Sequence, residues 1–513
     1  MPINSHFRRP RDGQELELDY RPARSMWAQI ERVEPPVKRG GDWLVALDAI
    51  GADWVRDQAL GGNQYFNLGR PVAMRAARRD LSRQRSAGQR PGNPFENAPL
   101  YRIEVVQPDL WWTGLGPVDG EEVLEGLWFH ISIAEPAQFG VTADVYANAF
   151  SPPLQTVLSF QPVRGEMEDA LADLVSLDDD FDEIDEVDLA SLISRGSADS
   201  LAVYHVGQGN SNGLLGHSAI CGDSPPSIYY DLGCGVYGNH GTTPTPLEFC
   251  QNLDPPVLLS HWDSDHWMGV YAYMLANGTY PFLSADWVAP LQKVTTHHKA
   301  FALDVVLFGT IRIYKPPFVG FVGTAVLASP AKTTIEFTVG TGGGRNQSGI
   351  VLAIERDMTN EGKGINRWLL TGDSDYRYFT ALTTTDLVGV VVPHHGASRP
   401  VKNPVVPPPK AGSAAHQSPR PYRRLVYSFG SGNTFSHGVT HPVDATVDEH
   451  YTEHWECAPW VMGSNPGSGL PGLDTRATSQ NSVTGGAGVL VGWDSPPTMG
   501  SPCSTCSTRC SRN

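Results

Sequence analysis

The sequence has no apolar run approaching the roughly twenty residues needed to cross a bilayer. Its opening, MPINSHFRR, lacks the apolar stretch of a secretory signal. Both absences lead to the expectation of a soluble, cytoplasmic protein without membrane insertion. Cysteine is scarce: seven in 513 residues, an odd number, in a chain long enough to bury a core without covalent staples. Three of them, Cys503, Cys506 and Cys510, crowd a Ser/Thr-rich tail, a spacing that suits either a metal or incidental thiols. Positive charge is also in deficit, with 38 Lys and Arg against 55 Asp and Glu and a net charge of −17. The deficit is uneven. Residues 1–195 carry 19 basic and 32 acidic side chains, eight of the acids between Asp178 and Asp188. Overall acidity therefore excludes no anionic ligand for the remainder. An apolar share of 40% with 18% charged residues excludes wholesale disorder.

Three regions are expected. Residues 1–195 read as a mixed α+β region of unknown role. It contains strand-like stretches between 100 and 160, and a basic stretch, 70–90, with seven arginines and one acid. That stretch suits phosphate backbone or a solvated helix face. The region ends in LDDDFDEIDEVDL, 177–189, either a solvated linker or a docking element for a basic protein partner. From 196 to 464, short apolar strands end in polar, Gly-rich loops, and fourteen of the sixteen histidines lie between 201 and 460. Chemistry tends to sit on such loops. Residues 465–513 read as a Gly/Ser/Pro/Cys-rich tail with one strand near 488–493.

The most informative segment is VLLSHWDSDHWMG, 257–269. A buried strand runs into His261, Asp263, Asp265 and His266, four potential metal ligands in six residues. Imidazole and carboxylate both suit zinc, and the carboxylates also suit manganese. In an extended or turning loop, positions 261, 263 and 265 can face one way, with His266 reaching from the next turn. The alternative is an N-cap by Asp263 or Asp265, but capping needs one acid and no histidine. Three more strands end in polar residues: Asp231 in SIYYDLG, Asp373 in RWLLTGD, and His394 with His395 after LVGVVVP.

In this order the motifs resemble those of the metallo-β-lactamase fold superfamily. Within it they are similar to the hydrolase domain of the DNA-uptake protein family ComEC/Rec2. The resemblance covers about 200–445 and rests on six elements: VYHVGQGNS at 203–211, YYDLG around Asp231, the H-x-D-x-D-H run, NQSGIVLAIE at 346–355, LLTGD, and PHHGAS at 393–398. A closing stretch carries His437 and His441-Pro442. His205 and Asn210 stand where the family usually has aspartates.

The resemblance implies an α/β fold, a four-layer αββα sandwich with a dinuclear site at one edge. His261 and Asp263 would hold one ion. Asp265 and His266 would hold the other, completed by His394 or His395, with Asp373 bridging and Asp231 aiming the ligands from behind. The ions would be Zn2+ or Mn2+. They would activate water for attack, with Asp265 at the reacting centre and His437 or His441 serving the leaving oxygen or a phosphate. Arg399 beside PHHGAS reads as a phosphate clamp or as a surface arginine; by the resemblance Ser398 would shape the loop, and Asn346 would line the substrate site. Trp262 and Trp267 read as cleft lining or as packing between layers.

The expected activity is that of a metal-dependent hydrolase, a phosphodiesterase or nuclease acting on nucleic acid or a nucleotide. The alternatives are hydrolysis of an ester, lactone or amide by the same hydroxide, or an effector or interaction module of a multi-protein system.

Overall fold

The computed structural model describes residues 3–10, 22–34, 41–60, 93–107, 109–110, 124–133, 140–178, 181–216, 225–252, 254–275, 278–328, 332–397, 406–410, 422–430, 432–433, 441–455, 475–478 and 488–495. The basic stretch 70–90, Ser398, Arg399, His437 and the three tail cysteines lie outside them. The described chain is a mixed α/β protein with a barrel, two further sheets and few helices.

The first six strands are β1 (Ser25–Glu34), β2 (Trp43–Gly51), β3 (Leu100–Gln107), β4 (Trp128–Ile133), β5 (Val141–Tyr146) and β6 (Leu154–Pro162). They close an antiparallel barrel in the order β1-β2-β3-β5-β6-β4. Alternation explains its filling, since side chains two apart share a face. Val45, Leu47 and Ala49 of β2 and Ile103 and Val105 of β3 point into one apolar core. β1 sends Met26, Ala28 and Ile30 inward and then slips register between Ile30 and Arg32, so the next inward residue is Val33. This bulge leaves two charged residues in succession, Glu31 and Arg32, outside the barrel core, followed by Glu34.

The remaining strands are β7 (Asp182–Ile184), β8 (Ser200–Val203), β9 (Ser211–Leu215), β10 (Pro226–Leu232), β11 (Val257–Leu258), β12 (Asp286–Pro290), β13 (Thr310–Tyr314), β14 (Val322–Val326), β15 (Thr333–Val339), β16 (Ile350–Met358), β17 (Gly364–Leu370), β18 (Leu387–Val391), β19 (Arg424–Tyr427), β20 (Thr475–Ala477) and β21 (Val489–Val491). One sheet runs β21-β8-β9-β10-β11-β12-β13-β7 and the other runs β14 to β20 in sequence order. Leu201, Leu214 and Ile228 of the first share a core with Ile335, Leu352 and Trp368 of the second. On the outer face of the first sheet, Trp287 and Ile311 meet Phe301 and Val305 of the helix Thr296–Phe308. On the outer face of the second, Val351 and Leu369 meet Val447 of the helix Asp444–Thr452.

Two stretches expected to lie outside the 196–464 unit contribute to these sheets. The acidic segment read as a linker pairs β7 in parallel with β13. It then enters the helix Glu186–Ser194, capped by the Asp185 side chain, which accepts from Asp188 N at 2.8 Å. Leu189, Leu192 and Ile193 of that helix enter the intersheet core. Acids in the first turn favour the helix start, so this charge pattern is compatible with a packed element. In the expected tail, β20 pairs with β19 and β21 with β8, and Trp493 stacks on Trp368 with centroids 3.6 Å apart.

Trp262 and Trp267 are fully buried, and Trp267 stacks on Phe301 at 4.4 Å, which is packing and not cleft lining. Among the described residues, no helix is long and apolar enough to cross a membrane. The barrel docks on the helical side of the first sheet, where Ile50, Val55 and Leu100 join the same apolar cluster as Tyr271 and Phe301.

Candidate metal centre

Parallel pairing of β10 with β11 brings their carboxyl ends together. Asp231 closes β10 in the left-handed region, with φ at 64°. The segment after β11 stays extended to Asp263 and then turns through the short 3-10 helix Ser264–His266. Asp263 occupies the N-cap position of that turn, but its side chain makes no capping bond, so capping does not account for it. Asp373 follows β17, and His394 with His395 follows β18, its parallel neighbour.

The side chains converge on Asp373. Its Oδ1 lies 3.0 Å from His266 Nε2 and 3.9 Å from His395 Nε2. Its Oδ2 lies 3.7 Å from His261 Nε2 and 3.6 Å from His394 Nε2. Asp265 Oδ2 is 3.3 Å from His395 Nε2, and Asp263 Oδ2 is 3.7 Å from His261 Nε2. Two of the three groups with ligand spacing among the described residues lie here, His261 with His266 and Asp373, and Asp265 with His266 and His395. Asp265, Asp373, His261, His266 and His395 are buried, while His394 is partly exposed.

The histidine tautomers are set from behind. His266 Nδ1 donates to Asp231 Oδ2 at 2.8 Å, and His395 Nδ1 donates to the Ser428 carbonyl at 2.7 Å. The Ser260 hydroxyl donates to Asp231 Oδ2 at 2.8 Å and accepts from His261 Nδ1 at 3.0 Å. With each Nδ1 carrying its proton away from the centre, each Nε2 presents a lone pair toward it. Nε2 of His261, His266 and His395, both oxygens of Asp373 and Oδ2 of Asp263 make no hydrogen bond although all are buried. Buried polar atoms without partners are costly. Here they form one convergent set of nitrogen and oxygen donors, which fits a divalent cation.

The electrostatics agree. Burial alone would raise the Asp373 carboxyl, but His266, His394, His261 and His395 outweigh it and hold it well below the ordinary range. Burial opposes charge on His266, yet Asp373 and Asp231 push it well above 6.5. Asp265, raised by burial, is brought down to about 2 by the His395 imidazole 3.3 Å away and by His266. The carboxylates thus demand positive charge, which is met by protons on the imidazoles or by an ion that displaces them.

Asp263, also buried, divides its oxygens between the cluster and a second partner. Its Oδ1 accepts from Arg345 Nε at 3.0 Å, and Arg345 also pairs with Glu31 Oε1 of the barrel at 3.4 Å. Glu31 pairs with Arg102 at 2.7 Å, Arg102 with Asp48 at 3.0 Å, and Asp48 with His297 at 2.7 Å. This chain of buried charges runs from the barrel to the ligand group. His441 stands in a further group with Glu34 and His394, its ring centroid 5.7 Å from that of His394. Asn346 sits in the turn after Arg345, and none of the described contacts joins its side chain to the ligands. A cavity lined by Glu31, Arg32, Arg102, Gln208, Tyr237 and Asp265 lies where the barrel meets the loops.

Sequence reasoning missed Arg345, Ser260 and the β1 charges. The available signals were a single arginine in the glycine-rich loop TGGGRNQSG and three charges interrupting the apolar alternation of MWAQIERVE. No protein-family model matches the chain, and no curated protein matches it.

Proposed function

We propose that the protein is a metal-dependent hydrolase of phosphodiesters with a metallo-β-lactamase-like fold, similar to the ComEC/Rec2 hydrolase domain. The layering supports that fold: two sheets share a core and helices cover both outer faces, with the ligands on loops at the strand ends. The observation that carries the activity is the convergence of three imidazole Nε2 atoms and the Asp263 and Asp373 oxygens, buried and without hydrogen bonds, beside Asp265.

His261, Asp263 and Asp373 would hold one ion, and Asp265, His266 and His395, with Asp373 shared, the other. Two bound ions would lower the pKa of water and stabilise charge on the attacking and leaving oxygens of a displacement. The protein's own part is positional. Asp231 and Ser260 fix two imidazoles, the Ser428 carbonyl fixes the third, and Arg345 holds Asp263. Arg32, in the cavity beside Asp265, offers a cation to an anionic ester.

The test is metal content by plasma mass spectrometry on the wild type and on Asp265→Ala/His266→Ala, followed by chromogenic phosphodiesters and carboxylic esters. The expected result is about two zinc or manganese ions per chain more in the wild type than in the variant, with phosphodiester cleavage by the wild type. A folded wild type that takes up neither ion removes the hydrolase reading. Cleavage of esters alone transfers it to carbonyl substrates.

A further inference from the structure

Glu34, His394 and His441 form a ligand group beside the Asp373 cluster that the roles above leave unused, and it draws on three separate parts of the chain. Glu34 is delivered by the barrel. The bulge at Ile30/Arg32 keeps Val33 in the barrel core and leaves Arg32 and Glu34 outside it. Bulges commonly re-aim side chains next to functional sites.

His394 and His395 are consecutive non-glycine residues in the left-handed region, with φ at 48° and 55°. That backbone is disfavoured for both and persists only where surroundings enforce it. It directs the two rings apart, with planes at 68° and centroids at 6.3 Å. His395 meets Asp265, whereas His394 meets Glu34 and His441. His441 is 4% exposed, and its backbone is clamped by Asn433. The Asn433 Oδ1 accepts from His441 N at 3.0 Å and its Nδ2 donates to His441 O at 2.8 Å.

One donor atom from each of Glu34, His394 and His441 lies within 4.8 Å of the other two. Two imidazoles and a carboxylate are a zinc-type set with room for a further ligand. Arg32 Nε, 3.3 Å from Glu34 Oε1, orients that carboxylate, as groups behind metal ligands commonly do.

We propose that Glu34, His394 and His441 bind a further divalent cation of zinc type, so that a strand of the barrel supplies a ligand at the catalytic edge of the sheets. The barrel is then part of the metal centre and not an appended module.

The experiment titrates chelator-stripped full-length protein with Co2+, reading visible absorption, and with Zn2+ by calorimetry. The variants are Glu34→Gln, His441→Gln and Asp265→Ala/His266→Ala, with near-ultraviolet circular dichroism as the folding control. The expected wild type shows two classes of bound ion. One class weakens about tenfold or more in both Glu34→Gln and His441→Gln, and the same class survives in the double variant. A Glu34→Gln titration that superimposes on the wild type overturns the proposal. So does a folded double variant that binds no ion, because Glu34 would then only tune the Asp373 centre. If only the Glu34-dependent ion binds to wild type, the inference stands and the dinuclear hydrolase reading fails.

Discussion

Asp231 shows how much one side chain organises. Its carboxylate accepts from Ser260 N at 2.6 Å, Ser260 Oγ at 2.8 Å, Asn210 Nδ2 at 2.9 Å and His266 Nδ1 at 2.8 Å. A left-handed backbone at a non-glycine residue costs on the order of 1 kcal/mol, and that cost accompanies the turn that aims this carboxylate. Asp231→Asn keeps the shape but removes the charge and replaces one acceptor with a donor facing other donors. Affinity for Zn2+ should fall about 10–100-fold, measured by competition with a chromophoric chelator. Unchanged affinity would mean that the imidazoles are aimed by packing alone. The candidate run His261, Asp263, Asp265 and His266 was legible because four potential ligands follow one strand within six residues. Arg345 was not legible. Its partners Asp263 and Glu31 are far away in sequence, and a lone arginine in a glycine-rich loop ordinarily faces water.

At the scale of elements, the helix Thr296–Phe308 carries an acid in an apolar layer. Asp304 accepts from Asn93 Nδ2 at 2.6 Å and from the Tyr271 hydroxyl at 2.8 Å. Burial pushes its carboxyl up to about 7, with the two hydrogen bonds opposing. In the unfolded chain the same group titrates near 4. Between these values the folded state binds the extra proton, so stability falls as pH rises through the window. Asp304→Asn mimics the neutral acid in shape and bonding. The difference in urea-unfolding free energy between wild type and variant should therefore shift against the wild type from pH 4.5 to 8. The shift is at most on the order of 4 kcal/mol. A pH-independent difference would refute the assignment. Elements also explain what patterning obscured. In 182–194, Ile184, Leu189, Leu192 and Ile193 supply the buried face, but the interleaved acids dominate the composition, and only pairing with β13 shows that the segment belongs to a sheet.

Across the whole molecule, barrel and sheets are joined twice, by a shared apolar cluster and by the buried charge chain Asp263–Arg345–Glu31–Arg102–Asp48. Breaking a buried pair on one side leaves a charge uncompensated, at about 3–5 kcal/mol. Arg345→Met should destabilise by that order and weaken metal binding through Asp263. Adding Glu31→Gln should restore part of the stability, because Glu31 then has Arg102 as its one remaining cation and burial penalises its charge. Thermal and urea unfolding of the two single variants and the double variant measure this coupling. Strict additivity would show that the two residues do not communicate. Strands β3 to β6 were visible in the strand-like pattern of 100–160, but β1, β2 and the barrel's place at the candidate ligand group were not, because closure and docking are long-range events that local periodicity does not encode.

The pairing of β21 with β8 has a consequence for how the protein is made. Val491 bonds alongside Leu201, so the sheet's edge at β8 waits for a partner translated almost three hundred residues later. At usual elongation speeds that delay is roughly fifteen seconds to a minute. Through it the nascent chain presents an open row of backbone donors and acceptors, the form of surface that recruits foreign strands. Every residue named in the ligand groups, from Glu34 to His441, leaves the ribosome before β21 does. The candidate ligand cluster can therefore assemble before that edge of the sheet is covered.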